Sequence, residues 1–137
     1  MSLHVELVSP ERILWSGEAE MVIARTLEGG EIAFLTGHAP FVGALDIGRV
    51  VIRPTDGGAD QVAAVHGGFV EVSHDRVTIL SDVAELKDQI DPTRAHAARE
   101  RAEAALQTED QPDAQEARRR ADLRILVAEL TVAVTGH

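Results

Sequence analysis

The hydrophobic period of this chain changes once, near Leu86, and that change limits the folds open to it. Before it, apolar residues alternate with polar ones: Leu3, Val5 and Leu7, then Val50 with Ile52, Val62 with Ala64, and Val77 with Ile79. Valine and isoleucine dominate these runs, as suits half-buried strands. Turn signals fall between them at Ser9-Pro10, Ser16-Gly17, Gly29-Gly30, Asp46-Ile47-Gly48, Asp56-Gly57-Gly58, Gly67-Gly68 and His74-Asp75. About eight to ten short strands at that spacing predict a β-sandwich or barrel over residues 1–86.

After Leu86 the period is helical. Asp91-Pro92 reads as an N-cap followed by proline at the first helical position. Ala95, Ala98, Ala102 and Ala105 then share one face. Residues Gln107 to Pro112 read as a loop, and Asp113 with Glu116 as a second helix start. That helix is expected to run to about Val134, with Ala117, Ala121 and Ala128 along one side and Leu123, Val127, Leu130 and Val134 along another. Residues 87–137 therefore predict an antiparallel two-helix hairpin, and the whole chain an α+β fold. Alanine facing alanine lets helices approach closely but buries little. At about 0.8 kcal/mol per methylene, each seam position forgoes roughly 2 kcal/mol relative to leucine. The two helices are each well formed and only weakly joined, as suits an appendage that opens; an ordinary small packing hairpin would read the same way.

The net charge is −10. Residues 1–86 hold 5 arginines against 13 carboxylates, and residues 87–137 hold 8 basic against 10 acidic groups. Neither half has the clustered positive charge that a phosphate backbone demands, and 3% aromatic residues are too few for base stacking. Nucleic acid is not an expected partner. The absence of cysteine excludes disulfides, thiolate metal sites and a cysteine nucleophile. No stretch approaches the roughly 18–20 apolar residues of a membrane span, and Met1–Glu6 lacks the features of a secretory signal. A soluble, intracellular chain is expected, reaching a membrane only through a partner.

Candidate chemistry is sparse. Thr36-Gly37-His38-Ala39-Pro40 separates two apolar runs, Ile32–Leu35 and Phe41–Leu45. A catalytic histidine, a metal ligand and a docking tip would all look like this. No histidine pair has helical metal-ligand spacing, so no metal site is predicted. Ser73, His66 and Asp82 assemble into a triad only on paper, without a nucleophile elbow. The diglycines at 29–30, 57–58 and 67–68 end strands and do not begin phosphate-loop helices. Lys87 is the one lysine and stands without a Schiff-base environment. Arg94 and Arg101, seven residues apart, share a helix face near Glu85 and Asp91, while Arg118, Arg119, Arg120 and Arg124 lie on the second helix. A closed hairpin can converge these guanidinium forks on phosphate. A solvated face with pairs such as Arg99–Glu103 explains the same residues.

The ordered series "GEIAFLTGHAPFVGAL", then Gly48 before a strand, "GGFVEV", "VTILSD" and an alanine-rich hairpin resembles the epsilon subunit of bacterial F-type, proton-translocating ATP synthases over essentially the whole chain. The resemblance implies a ten-stranded β-sandwich followed by the hairpin, in the rotor's central stalk. The sandwich would pack on the gamma subunit and rest on the ring of c subunits through Glu31, Gly37, His38, Ala39 and Pro40, so that the tip is a docking element. Family members commonly carry proline where this chain has Thr36, which loosens that turn. The implied role is mechanical and regulatory, with no catalysis, no metal and no cofactor, at the cytoplasmic side of the cell membrane as a peripheral subunit. Folded against the sandwich, the hairpin permits turnover. Extended, it blocks rotation and suppresses ATP hydrolysis, with Arg118, Arg119, Arg120 and Arg124 meeting acidic segments of the beta subunits beside alpha. Some bacterial members bind ATP as a regulatory ligand in the folded hairpin. The matching residues here are Glu85, Ile90, Asp91, Arg94, Ala95 and Arg101, with Arg120 and Arg124 from the second helix. A stand-alone nucleotide sensor built on a β-sandwich, or a small sandwich enzyme using His38 or His66, are the alternative readings.

Overall fold

The computed structural model describes residues 2–108 and 112–130. Seven strands come first: β1 (Leu3–Val8), β2 (Ile13–Thr26), β3 (Gly30–Leu35), β4 (Phe41–Pro54), β5 (Gln61–Ser73), β6 (Arg76–Leu80) and β7 (Ala84–Leu86). A 3-10 turn, Lys87–Gln89, leads to α1 (Pro92–Thr108) and α2 (Pro112–Glu129). Among the described residues no helix is long and apolar enough to cross a membrane. The second helix ends at Glu129, and the expected continuation to Val134 lies outside the described residues. So do residues 109–111 of the expected loop, whose flanks are helical on both sides.

The strand count differs from the expected eight to ten, and the pairing explains why. β2, β4 and β5 are 13 or 14 residues long, and each passes from one layer of the sandwich to the other. The first half of β2 pairs with β1 and its second half with β3 and β4. β5 pairs with β7 through Ala63–Val65 and with β6 through Phe69–Ser73. Seven continuous strands, three of them long enough to pair with different partners at their two ends, thus stand in place of the larger number of short ones. β1 joins the ends by pairing antiparallel with β2 and parallel with β6. Three of the turn signals, Ser16-Gly17, Asp46-Ile47-Gly48 and Gly67-Gly68, therefore lie inside strands. Gly67 and Gly68 mark the crossing of β5, with φ +88° and +124°, backbone that other residues avoid. A Cβ on Gly68 would overlap the carbonyl of Leu80.

The inner faces enclose one core. Leu3, Val5 and Leu7 of β1 meet Val22, Phe34, Val50, Ile52, Val70, Val72, Val77 and Ile79, all essentially without solvent contact. Alternation fails in two places: Val50-Val51-Ile52 and Val62-Ala63-Ala64-Val65 are buried throughout. The reason is a second, smaller cluster on the outer face. There Val51, Val62 and Ala64 meet Ile90 and, from α2, Leu123 and Val127. The hairpin is closed against the sandwich, and α2 makes the contact. Each buried aliphatic side chain in that cluster stabilises docking by on the order of 2 kcal/mol.

Between the helices the seam is alanine, as the pattern predicts, but only half of it is sealed. Ala95, Ala102, Ala114 and Ala121 are buried, whereas Ala105 and Ala117 are exposed. Buried and exposed alanines thus alternate along α2, from Ala114 through Ala117 to Ala121. Gly68→Ala is expected to cost at least about 3 kcal/mol, because the strained φ and the carbonyl overlap both act at a layer crossing. Urea unfolding followed by circular dichroism checks this, and a midpoint within experimental error of wild type would contradict it.

Candidate functional site

Two places collect the residues singled out in the sequence. The first is the turn after β3. Gly37 takes φ +85°, which lets the His38 N–H donate to the Leu35 carbonyl at 3.0 Å. The Gly37 N–H donates to Asp75 Oδ1 at 2.7 Å, so the β5–β6 turn braces this tip in place of the rigidity a proline at Thr36 would bring. The His38 ring stands edge-on to Phe34 at 4.9 Å, and its Nδ1 donates to the Ala39 carbonyl at 2.7 Å. Among the described residues no cluster of metal-ligating side chains exists. Glu31 is not part of this group. It lies at the other end of six-residue β3, facing Arg49 at 3.4 Å.

The second place is where the 3-10 turn, α1 and α2 meet. A cleft of about 300 Å³ is lined by Glu85, Gln89, Ile90, Asp91, Arg94, Ala95, Ala98, Arg101 and Arg124. Local chemistry builds it. Asp91 caps α1, its Oδ1 accepting from the Thr93 and Arg94 N–H groups at 3.0 and 3.3 Å. Gln89 Oε1 accepts from the Leu86 N–H at 3.0 Å and holds the 3-10 turn. One helical turn then separates Arg94 from Ala98, and nearly another separates Ala98 from Arg101, so all three face the cleft. Arg94 and Arg101 carry no ion pair among the described residues. Arg124 reaches in from α2 to Glu85, Nε to Oε1, at 2.6 Å.

Most of the nucleotide residues implied by the resemblance meet here: Glu85, Ile90, Asp91, Arg94, Ala95, Arg101 and Arg124. Arg120 does not. It pairs with Glu116 at 2.7 Å and lines an adjoining cleft of about 440 Å³ with Asp113, sharing Ala98, Arg101 and Arg124 with the first. Gln89 and Ala98 were missed. Ala98 was legible as the residue between two arginines on one face; Gln89 depends on the 3-10 turn, which has no hydrophobic period to betray it.

The four second-helix arginines have different partners. Arg118 joins Arg99, Glu103 and Asp122 in a lattice across the two helices, with contacts from 2.6 to 3.7 Å. Arg119 reaches Asp46 on β4 at 3.0 Å, beside Arg25 at 3.6 Å. Partial burial pushes the Asp46 carboxyl up, but the Ile47 N–H, Arg119 and Arg25 together hold it below the usual carboxylate range. Arg119 and Arg124 therefore tie α2 to the sandwich, and Lys87 donates to the Ala128 carbonyl at 3.0 Å from the same side. Beneath the Arg124 contact lies His66, its side chain 1% exposed, Nε2 at 3.4 Å from the same Glu85 oxygen. Burial first, then Arg124, pull its pKa down to about 4, with Glu85 opposing.

The ion pairs are partly exposed and each contributes about 0–1 kcal/mol, less than one buried leucine. Arg119→Ala and Arg124→Ala should each loosen the docked hairpin by less than about 1 kcal/mol, nearly additively because their partners are separate. Leu123→Ala should loosen it by about 2–4 kcal/mol. Hydrogen exchange of α2 amides measures all three, and an arginine effect exceeding the leucine effect would reverse this ranking.

Comparison with known proteins adds the family. The family described as "ATP synthase, Delta/Epsilon chain, beta-sandwich domain" matches residues 2–87. The ATP synthase epsilon chain of Streptomyces griseus is 46% identical over 123 residues, 90% of this chain and 92% of that one. The ATP synthase epsilon chain of Brevibacillus brevis is 52% identical over 104 residues, covering 76% and 77% of the two chains. Among solved structures, a chain in the OSCP/F1/c-ring assembly of Euglena gracilis mitochondrial ATP synthase shares the fold, with TM-score 0.71 and 23% identity over 92% of this chain and 76% of its own.

Proposed function

Since the chain belongs to the ATP synthase epsilon-chain family, we propose that it works as a central-stalk subunit of that enzyme, coupling proton flow to ATP synthesis without catalysing a step itself. The observation that carries this reading is identity of 46% extending over 90% of the chain, sandwich and hairpin together. The surface is in keeping with it. Phe69 and Leu80 face each other across β5 and β6, and both are largely exposed. A paired apolar patch of this kind is suited to being covered by a partner, here gamma. The braced tip at Gly37, His38, Ala39 and Pro40 is the c-ring contact, with Glu31 a strand's length away on a separate part of that surface. The chain sits at the membrane through these partners, as a peripheral subunit on the cytoplasmic side.

The hairpin is the regulatory part. In the closed arrangement Arg119 and Arg124 are engaged by the sandwich, whereas Arg118 and Arg120 are engaged only within the hairpin. In the extended arrangement all four meet acidic surfaces of the beta subunits and hold back ATP hydrolysis. Reversing Arg118 and Arg120 spares the two ion pairs, Arg119–Asp46 and Arg124–Glu85, that tie α2 to the sandwich. Synthase assembled with Arg118→Glu/Arg120→Glu should hydrolyse ATP several-fold faster while still pumping protons; unchanged hydrolysis would count against the inhibitory role.

ATP is the regulatory ligand that best fits the cleft. Arg94 and Arg101 offer guanidinium groups without an ion pair among the described residues, Arg124 adds a third that is held by Glu85, and Ile90, Ala95 and Ala98 form an apolar wall. Guanidinium–phosphate bonds contribute about 1.5–3 kcal/mol each. A ligand held only by the closed hairpin raises the closed population in proportion to its occupancy. Calorimetric titration of the full chain with ATP should show one site, weakened at least about tenfold by Arg94→Ala/Arg101→Ala. No heat up to millimolar ATP would leave the subunit mechanical and inhibitory only.

A further inference from the structure

His66 is not used by the coupling or nucleotide readings, and its setting is unusual. The ring is buried, and neither nitrogen has a hydrogen-bond partner. Nε2 faces Glu85 Oε1 at 3.4 Å, while Arg124 Nε donates to that same oxygen at 2.6 Å. One carboxylate oxygen thus stands between the ring and the guanidinium that ties α2 to the sandwich. The charged groups facing the ring are Glu85 from β7 and Arg124 and Arg120 from α2. On β4 its neighbour across the ladder is Ile47, and Asp82 lines the cleft beside it.

We propose that His66 is a proton-operated release for the hairpin, in which a proton taken up at Nε2 as α2 leaves claims Glu85 from Arg124 and keeps α2 free. This rests on the reading that the hairpin leaves the sandwich. While α2 is docked, the cation His66 would have to form in a dry site beside Arg124, so the ring stays neutral. Once α2 leaves, Arg124 and Arg120 go with it, water reaches the ring, and Glu85 remains on β7 as its counter-ion. The open arrangement therefore binds the proton more tightly than the closed one. Proton uptake and opening are linked, and the sign follows: lowering the pH favours the open hairpin. A ring of ordinary pKa near 6.5 when open and about 4 when closed raises the opening constant about tenfold at pH 5.5 and leaves it almost unchanged at pH 7.5.

The chain has no cysteine, so dyes can be placed at Thr55→Cys on the sandwich and Ala117→Cys on α2, both exposed positions. Their separation in the full chain reports opening from pH 7.5 to 5.5. His96→Asn is included throughout, because His96 pairs with Glu129 across the helices at 2.8 Å and that pair must be kept out of the comparison. The opening constant is expected to rise about tenfold and to stay flat in His66→Gln. The same rise in His66→Gln overturns the proposal while leaving a mobile hairpin intact. A dye separation that never changes, even in Leu123→Ala, overturns the mobile hairpin and this proposal with it. An NMR titration of the His66 ring in the unsubstituted chain needs no variant to fold. Its midpoint should coincide with that of opening, and a ring that protonates with α2 still docked overturns the proposal.

Discussion

The structure depends on a sheet that is buried on both faces along only part of its length. β4 and β5 run side by side for most of their course, and at Val50–Ile52 and Val62–Val65 no residue is left facing water. One face belongs to the sandwich core. The other is covered from outside the sheet by Ile90, Leu123 and Val127, with Ala128 and Leu130 packed at the margin. This small contact is what keeps the hairpin closed, since the polar links around it are individually weak. It also explains the wide hydrophobic runs of β4 and β5, which would otherwise expose an apolar stripe.

Charge decides register and release more than strength. Arg119 meets Asp46 and Arg124 meets Glu85, five residues apart on α2 and on different strands of the sandwich. An apolar contact of two side chains tolerates sliding; two ion pairs with separate partners do not. The same arginines line or border the cleft that α1 and the 3-10 turn make. In the function proposed here, docking, ligand binding and inhibition draw on one set of guanidinium groups. Opening the hairpin would remove Arg124 from the cleft, so that a ligand there and the closed arrangement would favour each other. His66 enters the same balance from below, through the oxygen of Glu85 that Arg124 already uses.

The tip after β3 shows a different economy. A glycine at positive φ and one side-chain acceptor from a neighbouring turn hold His38 outward. Phe34 and Phe41 each meet the His38 ring in a T-shaped contact and each other at a tilt, with centroids 4.9 to 6.3 Å apart.

Much of this was legible in the residues alone. Alternating valines and isoleucines dictate strands because only one face of each can be buried, and the alanine period after Pro92 dictates a helix pair because one stripe recurs every turn. Asp91-Pro92 marks the helix start because a carboxylate can accept the orphan N–H groups and proline has none to offer. The arginine spacing placed Arg94 and Arg101 on one face. What the sequence by itself could not determine is where one strand serves two layers. Gly67-Gly68 reads as a turn because positive φ is all a sequence shows, whereas the approach of Leu80 across the sheet makes it a bend within β5. Nor could it decide which arginine meets which carboxylate. Arg120 and Arg124 are alike in the sequence, yet Arg124 points to Glu85 and Arg120 to its own helix, because docking of Leu123 and Val127 rotates α2 to one orientation. His66 looks like any strand histidine until the fold buries it under that contact. Periodicity is a local property that the chain carries everywhere; burial and partnership are set by segments far apart in sequence, and only their packing decides them.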